Sequence, residues 1–218
     1  GIGNMSDKEL ARIMRYSVGH DGRVIFPFMP FQEMSDEDLT AVISYLRSQE
    51  AVKHELERSK YTFLGKVLST FGSVPPLKPK HTPPKAVAID ATVEYGSYLA
   101  NSLSDCAGCH TKRDQKTGEP VGASSAGGWH LPPDPQSQGY SFVTPNLTPD
   151  KETGVMASWS ETVFIARFRA GRVYEGSPMP WGAFSRMNEV ELKAIYRYLN
   201  SLDPVSNKIE KVVFPPGE

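Results

Sequence analysis

The stretch SLSDCAGCHTKRDQ (Ser102–Gln115) contains both cysteines of the chain and places a histidine directly after the second. Two cysteines at this spacing can form a disulfide, half of a zinc site, a thiol redox pair or a haem attachment site. A bridge between Cys106 and Cys109 would close a very small loop and gain little from chain entropy. Thioredoxin-like pairs sit at a strand-to-helix turn. Here the preceding residues, ATVEYGSYLANSLSD (Ala91–Asp105), read as a helix with no strand pattern around them. Zinc takes four ligands, usually in paired clusters, and His20, His54, His81 and His130 are scattered singly.

C-x-x-C-H is the attachment sequence of c-type haem. Two thiols three positions apart on one helical turn can reach two vinyl groups of one porphyrin, and the next residue then turns its imidazole to the iron from the same side. The expectation is one haem c, with its iron, per chain: Cys106 and Cys109 anchor it and His110 is an axial ligand.

The remaining composition narrows the class without naming it. Lys+Arg 24 against Asp+Glu 25 leaves a net charge of -1, so no basic field for nucleic acid exists. The 18 Pro and 18 Gly point to long, shaped loops. No apolar run reaches the ~18 residues of a membrane span. YTFLGKVLSTFG (Tyr61–Gly72) is too short and carries a lysine. The opening GIGNMSDKEL has neither a basic nor an apolar leader segment, so the expectation is that any export signal has been removed or that this is not the natural start, and any membrane association would come through sequence not present here.

A repeat organises the chain. MSDKELARIMRYSVGHDGR (Met5–Arg23) parallels WSETVFIARFRAGRVYEGS (Trp159–Ser177), and the stretch Phe26–Val52 parallels Gly176–Val205. Met29-Pro30 pairs with Met179-Pro180, Leu39 with Leu192, and Tyr45-Leu46 with Tyr198-Leu199. Each copy predicts helix, Met-Pro loop, helix. Ser6 with Glu9 and Asn188 with Glu191 fit the capping box, and Ser35 and Ser160 are further N-cap candidates. Leu39, Val42, Ile43 and Leu46 share one helical face, as do Leu192, Ile195, Tyr196 and Leu199. Between the copies, VPPLKPKHTPPKAV (Val74–Val87) reads as an extended proline-rich linker, preceded by a helix over 53–72.

Residues 91–202 resemble the class I cytochromes c. The resemblance rests on Gly96 between Tyr95 and Tyr98, on CAGCH, on a Pro-flanked Met179, and on a final helix with Tyr196 and Tyr198. More narrowly, TPNLTPDKETGVMASWSETVF (Thr144–Phe164) followed by GRVYEGSPMPW (Gly171–Trp181) resembles the multi-haem cytochrome c subunits of bacterial membrane-associated dehydrogenases. That resemblance implies an all-α cytochrome c fold with long haem-wrapping loops. Its first and last helices would cross beside the haem, with Gly96 permitting the close contact. His110 would donate its free ring N–H to a backbone carbonyl near Pro120. Trp159 would bond a haem propionate, and Tyr140, Asn146 and Arg172 are further candidates for that contact. The NLT triplet at Asn146 also matches a glycosylation sequon, although Pro149 follows it. His130 is expected on a surface loop.

The second axial ligand must come from a distant segment that folds back to the far side of the haem. Of the 7 methionines, Met179 fits best. Pro178 and Pro180 fix the backbone on either side, and the last helix follows at once. Met156 and Met187 sit at helix entrances and read as packing residues.

Expected domains are therefore 1–52, the C-terminal half of a cytochrome c-like domain without its CxxCH; 53–90, helix and linker; and 91–218, a complete cytochrome c domain. The half-domain would expose an apolar face, for which self-association through residues 1–52 is one outcome. The expected task is one-electron transfer in a respiratory chain, with a dehydrogenase, an oxidase or another cytochrome as redox partner, rather than enzymatic turnover. His/Met ligation leaves no open iron position and raises the potential. A peroxidase or sensor with a labile sixth ligand, and a docking subunit of a dehydrogenase complex, are the alternatives. The resemblance implies a periplasmic location.

Overall fold

Ser6 starts the first helix, α1 (Asp7–Tyr16), with a reciprocal capping box. Its hydroxyl accepts the Glu9 N–H at 3.3 Å while the Glu9 carboxylate accepts the Ser6 N–H at 2.7 Å. The helix ends where Ser17 enters the left-handed region. Helix α2 (Asp36–Ser48) begins at Ser35, whose hydroxyl accepts the Asp38 N–H at 3.0 Å. These elements belong to a computed structural model that describes residues 1–25, 31–54, 62–63, 65, 76–115 and 117–217. The chain divides into two units, Gly1–Val87 and Ala88–Glu218. Met29 and most of the helix expected over 53–72 lie outside the described residues.

The first unit has a small core of Leu10, Met34, Leu39 and Ile43. Beneath it Arg15 is buried, yet its charge is fully occupied. One guanidinium nitrogen donates to the Gln32 and Met34 carbonyls at 2.9 and 2.7 Å, and the other pairs with Asp36 at 2.7 Å. Such pairing is what makes a buried guanidinium tolerable. The proline-rich residues 76–87 have no regular structure, but they are bonded rather than free. The Pro84 and Lys85 carbonyls accept the Asp36 and Glu37 N–H groups, each at 3.0 Å, and Leu77 donates to the Tyr16 carbonyl at 3.1 Å. Carbonyls of this segment thus satisfy donors that the first turn of a helix cannot pair internally.

The second unit is built on a crossing of its first and last helices. Thr92 caps α3 (Val93–Tyr98), which continues through one π-type turn, Leu99–Leu103. Asn188 and Glu191 form the capping box of α7 (Glu189–Ser201). Where the two helices meet, a Cβ at Gly96 would overlap the Ala194 carbonyl and lie 2.8 Å from the Tyr198 Cβ. Only glycine permits this approach. Around it Tyr95, Leu99, Ala100, Leu192, Ala194, Ile195 and Leu199 are all buried. Between them run α4 (Cys106–Cys109), α5 (Glu161–Arg169, capped by Ser160) and α6 (Trp181–Phe184).

The expectation of an all-α fold needs one amendment. The helices dominate, but β1 (His130–Leu131), β2 (Ser141–Val143) and β3 (Val213–Phe214) form an antiparallel sheet in that order. Phe142 stands opposite both Leu131 and Val213. Strands of two or three residues are too short to show a period-2 pattern, and β3 is recruited from the far C-terminal tail.

Candidate haem site

The turn that carries the thiols is set by Asp105, which adopts φ 50 and reverses the chain between the π-type turn and α4. Aspartate tolerates this left-handed conformation better than most residues. Cys106 is half-buried and Cys109 exposed, and both are free thiols on the same short helical turn. Burial pushes the Cys106 thiol up to about 12, with the Asp105 charge adding to the effect. Burial also raises Cys109. A redox-active pair needs the opposite, a thiolate favoured by its surroundings. The surroundings of both cysteines favour the thiol over the thiolate.

His110 closes the turn, its N–H donating to the Cys106 carbonyl at 2.8 Å. Its Nδ1 lies 3.0 Å from the Pro145 carbonyl. A carbonyl can only accept, so Nδ1 carries the proton and Nε2 keeps the lone pair. Burial holds the imidazole below its ordinary pKa, against the pull of the Pro145 bond. Burial thus favours the neutral ring, which is the ligating form.

The surroundings fix this orientation from a second direction. The His110 carbonyl accepts the Gly127 N–H at 2.7 Å, and Gly127, at φ 73, lies so close to Thr144 and Pro145 that a Cβ would overlap them. Thr111 pairs with Gly127, and its hydroxyl accepts the Ser125 N–H at 3.0 Å. The expected acceptor near Pro120 is thus corrected to Pro145. The Pro120 loop instead folds back on the segment after His110, with Arg113 paired to Pro120 and Val121 donating to Lys112 at 2.9 Å. Two thiols on one turn for covalent attachment and a tethered imidazole beside them for the iron fit haem c.

Asn146 needs a second correction. It is buried, its amide nitrogen donates to Thr153 at 3.0 Å and to the Val205 carbonyl at 2.8 Å, and its oxygen accepts twice from Thr148. All its hydrogen-bonding capacity is spent within the chain, leaving none for a propionate, and its burial excludes it as a sugar acceptor. Together with Asp150 and Asn207 it forms a polar knot that ties the TPNLTPDKETG loop to the C-terminal tail.

The other expected residues are distributed as follows. Trp159 is half-buried; its ring faces Phe164 at 6.5 Å and its carbonyl accepts the Tyr196 hydroxyl at 2.8 Å. Tyr140 stacks on Phe142, Arg172 is exposed, and His130 is exposed on β1. Met179 is half-buried between exposed Pro178 and Pro180. Sequence reasoning missed the Arg167–Trp181 pair, in which the guanidinium lies 3.8 Å from the ring centroid. Arg167 and Trp181 stand 14 positions apart in the sequence, and no local pattern links them.

A CxxCH turn with a carbonyl-tethered histidine, in a unit whose first and last helices cross at a glycine, resembles the arrangement of the c-type cytochromes. Comparison with known proteins points to one branch of that class: the chain resembles the cytochrome c subunits of bacterial dehydrogenases. It is 28% identical to "Alcohol dehydrogenase (quinone), cytochrome c subunit" of Gluconacetobacter polyoxogenes, across 100% of this chain and 48% of that protein. The subunit of the same name from Gluconobacter oxydans (strain 621H) is 24% identical across 94% of this chain and 45% of its own length. "Fructose dehydrogenase cytochrome subunit" of Gluconobacter japonicus is 24% identical across 93% of this chain and 42% of its own length. The chain thus spans about half the length of these relatives. No family model matches it.

Proposed function

We propose that the second unit binds one haem c and passes single electrons within a dehydrogenase complex, from a dehydrogenase or quinol-linked donor towards a respiratory acceptor, in the periplasm. The observation that carries this reading is the CAGCH turn, on which Pro145 tethers His110 Nδ1 and leaves Nε2 free. Cys106 and Cys109 would hold the group, and His110 and Met179 would be its axial ligands. When bound, the haem supplies the one-electron couple. The protein's part is to keep both ligands still, because a site that moves little on electron transfer spends little on reorganisation. Pro145 and Gly127 do this for the imidazole, and the proline pair does it for Met179. Trp159 and Tyr140 remain the proposed propionate neighbours, with Arg172 at the exposed edge. The names of the relatives support the partner class.

We further propose that residues 1–52 are the C-terminal half of a second cytochrome c-like domain. In support, α1 and α2 match α5 and α7 in order, cap position and, for α2 and α7, a common length of 13 residues. A pyridine haemochrome assay with intact-mass measurement tests the first proposal. One covalent haem per chain is expected, and none in Cys106→Ser/Cys109→Ser. A haem-free wild type from a host competent in haem attachment would sink it.

A further inference from the structure

We infer that Arg167 and Trp181 are positioning residues that brace the Met179 loop; this rests on the His110/Met179 reading above. The Trp181 main chain and side chain both bond back onto the Met179 loop. Its backbone N–H donates to the Met179 carbonyl at 2.8 Å across Pro180, whose φ -77 and ψ 60 make an inverse γ-turn. Its indole N–H donates to the Ser177 hydroxyl at 3.2 Å. Residues 177 to 181 are thereby closed into a hydrogen-bonded loop of which Met179 is the middle residue.

Two side chains from α5 then fix the indole. Phe168, buried, meets it edge-on at 5.6 Å, and the Arg167 guanidinium covers a face of it. Arg167 is itself held, donating to the Gly171 carbonyl at 2.8 Å. The brace therefore connects the Met179 loop to α5. Through Phe164, 4.6 Å from Phe168 and 5.5 Å from Tyr196, it also connects to α7.

The internal repeat supplies an independent comparison. In the first copy Met29-Pro30 is followed by Phe31 rather than tryptophan, and Ile13 stands where the second copy has Arg167. The copy without a CxxCH lacks both the cation and the indole donor. Both occur in the copy that has the full candidate ligand set.

The test uses the full-length, haem-loaded protein and the variants Trp181→Leu, Arg167→Gln, Arg167→Lys and Met179→Ala. In the oxidised protein, the thioether-to-iron charge-transfer band reports the Met179 bond. Titration with imidazole reports how readily that bond is displaced. Trp181→Leu and Arg167→Gln should weaken the band and tighten imidazole binding about tenfold. Arg167→Lys should recover part of the loss, and haem content and helical circular dichroism should stay at wild-type values. If both variants keep the wild-type band and imidazole affinity while Met179→Ala abolishes the band, the brace is wrong and the His/Met reading stands. If wild type and Met179→Ala behave alike, the axial reading fails and the inference fails with it. Should Trp181→Leu lose its haem, Arg167→Gln decides alone.

Discussion

Helices α2 and α7 occupy the same place in the two copies of the repeat, yet they are buried differently. Leu39 and Leu192 are both buried, at 6% and 0% exposure. On the other side of each helix the copies part. Ala194 is fully buried beneath Gly96, whereas its counterpart Ala41 is exposed. Tyr198 is half-buried, its hydroxyl accepting from Asn101 at 2.9 Å, whereas its counterpart Tyr45 is 65% exposed. The inward face of each helix is served by its own hairpin. The outward face is served in the second unit by α3, and among the described residues of Gly1–Val87 nothing takes that role. The pattern of the helix is thus independent of the partner that completes it.

The largest effect should come from attacking the completed face. Gly96→Leu forces a side chain into the Ala194 carbonyl, with no rotamer to relieve it, and should cost about 3 kcal/mol. Ala41→Leu, the matching intrusion on the open face, should stay within about 0.5 kcal/mol. Urea denaturation followed by circular dichroism, with haem absorbance reporting on the second unit, separates the two. A similar loss at both positions would break the comparison, since it would mean that α2 is covered as α7 is.

The same contrast explains how far the sequence could be read. The caps Ser6, Ser35, Ser160 and Asn188 were legible because each bonds within its own first turn. The CAGCH turn was legible as a motif because its spacing is local, and the close approach at Gly96 was legible only through the resemblance to the class I cytochromes c. Pro145 was not. It reaches His110 across a long loop, and nothing near either residue names the other. Asn146 was misread for the same reason, because its partners Thr153 and Val205 come from the loop and the tail. Short-range chemistry was visible in the sequence, and loop closure was not.

Each unit also contains a carboxylate that hydrogen bonds from its own cap or loop hold low, Glu9 in the first and Asp150 in the second, and these two should respond to acid in different ways. Glu9 is held below 4.5, first by the Ser6 N–H and then by its hydroxyl. Asp150 is held below 3.8, first by the Thr153 hydroxyl and then by its N–H. A carboxylate with a depressed folded pKa stabilises the fold above its unfolded value and loses that contribution as pH falls through the folded one. Both units should therefore weaken below about pH 4. Glu9 closes only a local box, but Asp150 anchors Thr153, which also binds Asn146 and Asn207. Asp150→Asn should flatten the acid dependence of the haem-reported transition and leave the first unit's unchanged. Glu9→Gln should leave the haem-reported transition as it is. An unaltered acid profile in Asp150→Asn would remove the knot from the account of the second unit.

The smallest effect concerns the caps, where the two copies do the same job in different surroundings. Ser35 is fully buried, and its hydroxyl both accepts from the Asp38 N–H and donates to the Asp38 carboxylate at 2.9 Å. Asn188 is exposed, accepting the Glu191 N–H at 2.9 Å. When Asn188 becomes alanine, water can reach the freed N–H, so the cost should be about 0.5 kcal/mol, the low end for a lost cap. When Ser35 becomes alanine, no water replaces it, and the cost should rise to about 1.5 kcal/mol. The order is the reverse of that expected at Gly96 and Ala41. If denaturation midpoints gave Asn188→Ala the greater loss, burial at the cap would not be what governs it, and the greater sensitivity of the second unit would extend to every part of α7 rather than to the face that meets α3.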